Sequence, residues 1–178
     1  RAAKVLHVSG ITLAISDSMR AAALRAIELI KEGGGMVSLD LNYRPALWPS
    51  HEMAKAVIMS VANMSDLVFP SDDEAGMLLG IEDPDAIADA FLGCGVSIVA
   101  CKRGGKGAYI ATSDKRFAVP PVPTTPVDSA GAGDSFAGSF LAWYLETSNI
   151  EVAAARAAEV AAGTVSGLGA VGPIPRRT

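Results

Sequence analysis

A chain of 178 residues, 50% hydrophobic and 19% charged, is long enough for one packed domain and too apolar to remain disordered. A net charge of −4 gives no general attraction to nucleic acid, so any phosphate must be held locally. No stretch approaches the ~18 continuous apolar residues of a membrane helix and no signal peptide is read, so the expected setting is cytoplasmic, with neither membrane nor nucleic acid as partner.

In chain order, Lys4 to Val8 reads as a short buried strand, followed by a loop, SGITLAIS. A helix capped by Asp17 or Ser18 runs to about Lys31, with an apolar stripe of Met19, Ala22, Ala23, Ile27 and Ile30, and Gly33-Gly34-Gly35 ends it. MVSLDL is a strand, and HEMAKAVIMSVANM after Ser50 is a helix. DLVFP is a third strand, and Ser71 with Glu74 three residues later has capping-box spacing for the next helix. Asp83-Pro84-Asp85 opens a further helix through Leu92. VSIVAC, GAYIAT and RFAVP are strands four to six, the last at an edge, and helices over about 132–146 and 150–168 close the chain. This alternation predicts an α/β fold with a mainly parallel sheet. Because Arg1 leads almost directly into a strand, the chain reads as the later part of something longer.

Four segments are candidates for chemistry. In DSAGAGDSFAGSFL, Gly131 and Gly133 remove side chains that would keep a phosphate from the open N–H groups of a helix start. Asp134 would repel that phosphate, but it suits a nucleophile that must lose a proton there; a tightly packed, capped helix start explains the same residues without function. CKRGGKGAYIAT reads either as an ordinary turn or as a glycine-rich turn against a nucleotide, with Lys102 or Arg103 near its phosphates. Asp40, Asn42 and Arg44 alternate, which predicts one face carrying a carboxylate, an amide and a guanidinium. That set suits a polyhydroxylated acid or a structural salt bridge. Asp72, Asp73 and Glu74 favour a helix dipole, or hold Mg²⁺ through waters. No Gly-Lys-Ser/Thr P-loop ending occurs, and GLGAVG at 167–172 follows a helix rather than a strand, so neither phosphate motif applies. Cys94 and Cys101, without a Cys-x-x-Cys spacing, read as reduced core thiols.

Together these segments resemble the C-terminal half to two-thirds of the ribokinase-like (phosphofructokinase-B) family of sugar kinases, over essentially the whole chain. The resemblance implies a three-layer ribokinase-like fold, with residues 1–178 the C-terminal portion of a single kinase domain and its N-terminal strands, lid and di-glycine substrate motif absent. It implies Asp134 as the base acting on a sugar hydroxyl. The N–H groups of Ala132, Gly133 and Asp134, shaped by Gly131, would form an anion hole for the γ-phosphate. Ser71, Lys102, Gly104 and Gly107, together with Gly131, Ala132 and Gly133, would face ATP. Glu74 falls at the glutamate of the family's Asn-x-x-Glu magnesium motif, with Ser71 in place of the asparagine. Asp128 is the position implied for a monovalent cation. PSDDE, SGITLAI with Ile11, and DLNYRPALW with Asn42 and Arg44 look like the 2-keto-3-deoxygluconate kinase branch, in which Arg44 grips the sugar acid's carboxylate. Fructokinases share a similar DxNxRxxLW stretch, and the asparagine that many relatives offer near the adenine is lacking. The partners implied are a sugar acid and ATP, with Mg²⁺. Exposed sheet edges leave a homo-oligomer open. A nucleotide-binding fragment without turnover and a plain scaffold are the readings of other classes.

Overall fold

The computed structural model describes residues 3–171 and 174. One sheet has the order β1 (Val5–Ser9), β2 (Met36–Asp40), β3 (Leu67–Phe69), β4 (Ile98–Lys102), β5 (Ala108–Ala111), β6 (Arg116–Val119). The first four strands pair in parallel with their neighbours. Parallel neighbours need crossovers, and helices supply them. These are α1 (Gly10–Ile15) and α2 (Asp17–Glu32), then α3 (His51–Ala62), then α4 (Asp72–Leu79) and α5 (Pro84–Leu92). The inner strands β2 to β4 are buried almost throughout, which is why they read as apolar runs rather than as alternating patterns.

The chain divides into two compact units. The first runs to Arg103 and takes in Tyr109–Phe117. Its core includes the fully buried Leu13, Ile27, Leu39, Ile58, Leu78 and Phe91. Side chains cap its helices: Ser16 accepts from Met19 N at 3.2 Å, Ser50 from Met53 N at 3.1 Å and Asp83 from Ala86 N at 2.9 Å. The α2 cap is thus Ser16, one residue before the expected pair. The α2 stripe is also narrower than expected, with Ala23 and Ile27 buried, while Ala22 is exposed and Met19 is 43% exposed. Gly34, with φ 73°, takes the left-handed step after this helix.

The second unit is Gly104–Ala108 with the chain from Ala118 onward. It contains α6 (Ala132–Thr147) and α7 (Ile150–Val165). The small buried face of α7 (Ala153, Ala154 and Ala157) allows close packing, and Phe136, Phe140 and Leu141 supply the bulk from α6. A buried hydrogen bond of 2.9 Å between Thr164 Oγ1 and Ser135 Oγ ties the two helices. The last helix stops at Val165, three residues short of the expected end. Gly172, the final glycine of the 167–172 match, lies outside the described residues.

The expected loop at 9–16 is instead the six-residue helix α1. Ser9 caps it, accepting from Ile11 N at 3.3 Å. Its turns are too few, and too uniformly apolar, to show a helical stripe in sequence. Gly10 opens α1 because nothing larger fits, since a Cβ there would lie 1.9 Å from Leu41 O. The predicted effect of Gly10→Ala is a loss of at least ~2 kcal/mol by urea unfolding, because backbone rather than a flexible side chain must yield. A loss under half that size would contradict the packing at this crossing.

Candidate active site

In the first unit, parallel pairing brings several strand ends to one edge. Ser9 lies opposite Asp40, Asp40 opposite Phe69, and Ser71 bridges to Lys102. Ligands of open α/β sheets bind beyond this carboxyl edge. Three charged groups gather there. Lys102 Nζ donates to Asp40 Oδ2 at 2.5 Å, with side chains only 14% and 2% exposed. Glu74 is 7% exposed and feels both charges. Burial pushes the Glu74 carboxyl above its ordinary range; Lys102 opposes that shift and Asp40 adds to it.

Ser71 and Glu74 form the capping box read from the sequence. Glu74 N donates to Ser71 Oγ at 3.1 Å, and Ser71 N donates to Glu74 Oε2 at 3.1 Å. Hydrogen bonding from Ser71 partly offsets the cost of burying the Glu74 carboxyl. Arg103 Nε stands 3.9 Å from Asp72 Oδ2.

Asp40, Asn42 and Arg44 do not share a strand face as alternation implied, because β2 ends at Asp40. Asn42 adopts φ 34°, and its N–H donates to Asp40 Oδ1 at 3.0 Å, an Asx turn that breaks the period of two. Asn42 Oδ1 is buried without a partner, and the exposed Arg44 forms no ion pair among the described residues. The salt-bridge reading of this trio therefore fails for Arg44, since Lys102 meets the charge of Asp40. Ile11 is half-buried at the second position of α1.

The second unit contains the other half of the expected residues. Gly131 is the N-cap of α6 with φ 75°, and a Cβ on it would meet Ala170 at 2.8 Å. A left-handed conformation and a blocked Cβ direction together require glycine. Ala132 N reaches Ser129 O at 3.3 Å, whereas Gly133 N and Asp134 N have no acceptor among the described residues. Two first-turn donors are thus open, beside an exposed carboxylate on Asp134. A cavity of about 800 Å³ begins here, with Gly131, Asp134, Ser135, Gly138 and Trp143 in its wall.

Asp128 ties down the approach to this helix. Its Oδ1 accepts from Ala130 N at 2.9 Å and its Oδ2 from Gly169 N at 3.0 Å, and these bonds lower its pKa. The turn at Gly104–Lys106 is a single 3₁₀ turn, with Gly104 and Gly107 both at positive φ. Of the thiols, only Cys101 is a core residue, its pKa raised to about 12 mainly by burial; Cys94 is half-buried.

Comparison with known proteins decides the family. Residues 1–177 match the model of the pfkB family carbohydrate kinases. The chain belongs to the pfkB family. It is 33% identical over 173 residues to 2-dehydro-3-deoxygluconokinase of Bacillus subtilis, covering 97% of this chain and 53% of that protein. It is 37% identical over 140 residues to fructokinase-1 of rice (Oryza sativa subsp. japonica), covering 78% of this chain and 43% of the relative. A Vibrio cholerae fructokinase, solved with fructose, ADP and calcium ion, superposes with a TM-score of 0.89 at 29% identity, covering 96% of this chain and 57% of that one. The chain thus spans about half the length of the curated relatives it matches. The ribokinase-like fold expected from sequence is borne out.

The pfkB assignment brings a divalent cation into consideration, and the donor set fits one held through water. Among the described residues no group of three or more acidic, histidine or cysteine side chains forms a cage. Mg²⁺ takes one or two carboxylates and keeps several waters, and the first turn of α4 offers Glu74 beside Asp72 and Asp73. The state of Glu74 is testable without metal. Its raised pKa means the native state binds more protons than the unfolded chain above the ordinary glutamate value of 4.5, so stability falls as pH rises through that window. Glu74→Gln retains an acceptor for Ser71 N and removes the charge. Its Tm relative to the natural protein is predicted to rise steadily from pH 4.5 upward and then level off. A constant difference, or one that shrinks with pH, would contradict the burial of this charge.

Proposed function

We propose that the protein is an ATP-dependent sugar kinase acting on 2-keto-3-deoxygluconate (2-dehydro-3-deoxygluconate) or a similar sugar acid. On this reading the chain is the C-terminal portion of one ribokinase-like kinase domain. The observation that carries the proposal is the start of α6. A glycine held left-handed, two open N–H groups and an exposed acid occur within four residues. Anion binding alone would not place Asp134 there, because its charge repels phosphate. Phosphoryl transfer to an alcohol calls for both features.

In this scheme the Asp134 carboxylate takes the proton of the acceptor hydroxyl. The hydroxyl oxygen bonds to the γ-phosphorus as the bond to the bridging β–γ oxygen breaks, and ADP leaves. The N–H groups of Gly133 and Asp134, with that of Ala132 once it lets go of Ser129 O, steady the charge on the phosphoryl oxygens. The glycines of the 104–107 turn allow close approach of the nucleotide. The Glu74 carboxylate would hold Mg²⁺ through water, and the ion would neutralise phosphate charge. Asp128, with both oxygens occupied by N–H groups, shapes the loop and offers remaining lone pairs to a monovalent cation.

The acid substrate is supported by Arg44, an exposed guanidinium without an ion pair among the described residues, two residues from the buried, unsatisfied Asn42 Oδ1. One suits a carboxylate and the other a hydroxyl donor. A neutral-sugar, fructokinase-type reading stands as the alternative, supported by the similarity to the rice enzyme. Replacing Asp134 with Ala in the intact protein is predicted to leave ATP affinity within about threefold and to lower turnover by roughly 10²- to 10⁴-fold, the range for a lost general base. Turnover near the natural level would end the role of Asp134.

A further inference from the structure

The Lys102 ammonium uses one of its three donors on Asp40, within the first unit. We propose that Lys102 and Asp40 are a positioning pair that holds the 41–44 turn, and with it Asn42 and Arg44, in the conformation that binds the sugar. The substrate part of this inference rests on the function proposed above.

β2 and β4 are not neighbours, since β3 lies between them. With strands ~4.8 Å apart, the pair must span roughly 10 Å between its backbones, which only a long side chain covers. Both backbones are fastened to the end of the intervening strand. Lys102 N donates to Pro70 O at 2.8 Å, and Leu41 N to Phe69 O at 3.4 Å. Lys102 thus reaches over the end of β3 to Asp40 Oδ2.

The carboxylate of Asp40 then does a second task through its other oxygen. Oδ1 accepts from Asn42 N and supports that residue at φ 34°, a left-handed conformation that asparagine tolerates better than other residues with a Cβ. The direction in which the chain leaves β2 toward Arg44 is set there. An Asp40 side chain free to turn would release Asn42 toward ordinary backbone conformations. Two of the side chains carried by the turn have no partner among the described residues: Asn42 Oδ1, buried, and the guanidinium of Arg44. The turn then presents Asn42 Oδ1 and the Arg44 guanidinium to a ligand, while Tyr43 is buried with its hydroxyl bonded to His51 Nδ1 at 3.3 Å.

The test compares the natural protein with Lys102→Met, Asp40→Asn and the paired variant. The pair of substitutions leaves no buried charge unmatched, so it remains informative if a single variant folds poorly. Hydrogen exchange at the 41–44 amides and separate KM values for sugar and ATP are read together. Loss of one charge-assisted hydrogen bond predicts about tenfold faster exchange at the Asn42 amide, about tenfold higher sugar KM, and ATP KM within about twofold in Lys102→Met and in the paired variant. Exchange unchanged at Asn42 would overturn the inference. So would a raised ATP KM with an unaltered sugar KM, which would return Lys102 to the nucleotide. If the natural protein phosphorylates no sugar, the proposed function fails, while exchange at Asn42 still decides whether the pair holds the turn.

Discussion

Parallel pairing of β1 to β4 is the constraint on which the first unit depends. Each strand must run in the same direction, so each returns through a helical crossover and each ends at the same edge. Ser9, Asp40, Ser71 and Lys102 are gathered by that register although they are far apart in the chain. The close approach of Gly10 to Leu41 O belongs to the same geometry, since α1 starts directly at the end of β1 beside the end of β2. Side chains that pack the sheet and side chains that carry chemistry are thus successive residues on the same strands.

Placing charge at this edge has an energetic consequence. Asp40, Glu74 and Lys102 are two acids and one base in a largely buried setting, so one negative charge is not matched within the cluster. The pKa of Glu74 is raised mainly because burial penalises its charged form; Lys102 opposes that shift more than Asp40 adds to it. Buried ion pairs contribute little net stability compared with apolar packing, and removing one partner leaves the other exposed to the full desolvation penalty. What such a cluster provides is geometry: a fixed turn after β2, and a carboxylate at the start of α4 that a cation would relieve. The second unit solves its own problem differently. It uses glycine at 131, backbone bonds to Asp128 and small residues along α7 to hold a helix start open.

Much of this was legible in the sequence because it is local. The Ser71–Glu74 capping box, the Asp83 cap and the helix start at GAGD depend on residues within four positions of one another, and the strand–helix alternation is a succession of such local patterns. What escaped depends on distant partners or on short elements. α1 has too few residues to display a period. The alternation of Asp40, Asn42 and Arg44 was misleading because one Asx turn, set by a hydrogen bond, inverts the backbone at Asn42. The Lys102–Asp40 pair joins residues 62 positions apart across an intervening strand. Its only trace in the sequence is a pair of apolar strands, MVSLD and IVACK, that end in opposite charges. Arg44 and Asp134 carried the family resemblance, and their environments add what the motif lacks: among the described residues, a guanidinium without an ion pair in one unit and N–H groups without acceptors in the other.

The central claim is that this pfkB chain serves phosphoryl transfer from ATP to a sugar acid. The most direct measurement is ADP release by the intact protein with ATP and Mg²⁺, run in parallel on 2-keto-3-deoxygluconate, on fructose and without sugar. Release that depends on the sugar acid and is weak with fructose is the predicted result. Release with fructose alone would contradict the role given to Arg44, and release on neither sugar would contradict the proposed reaction itself.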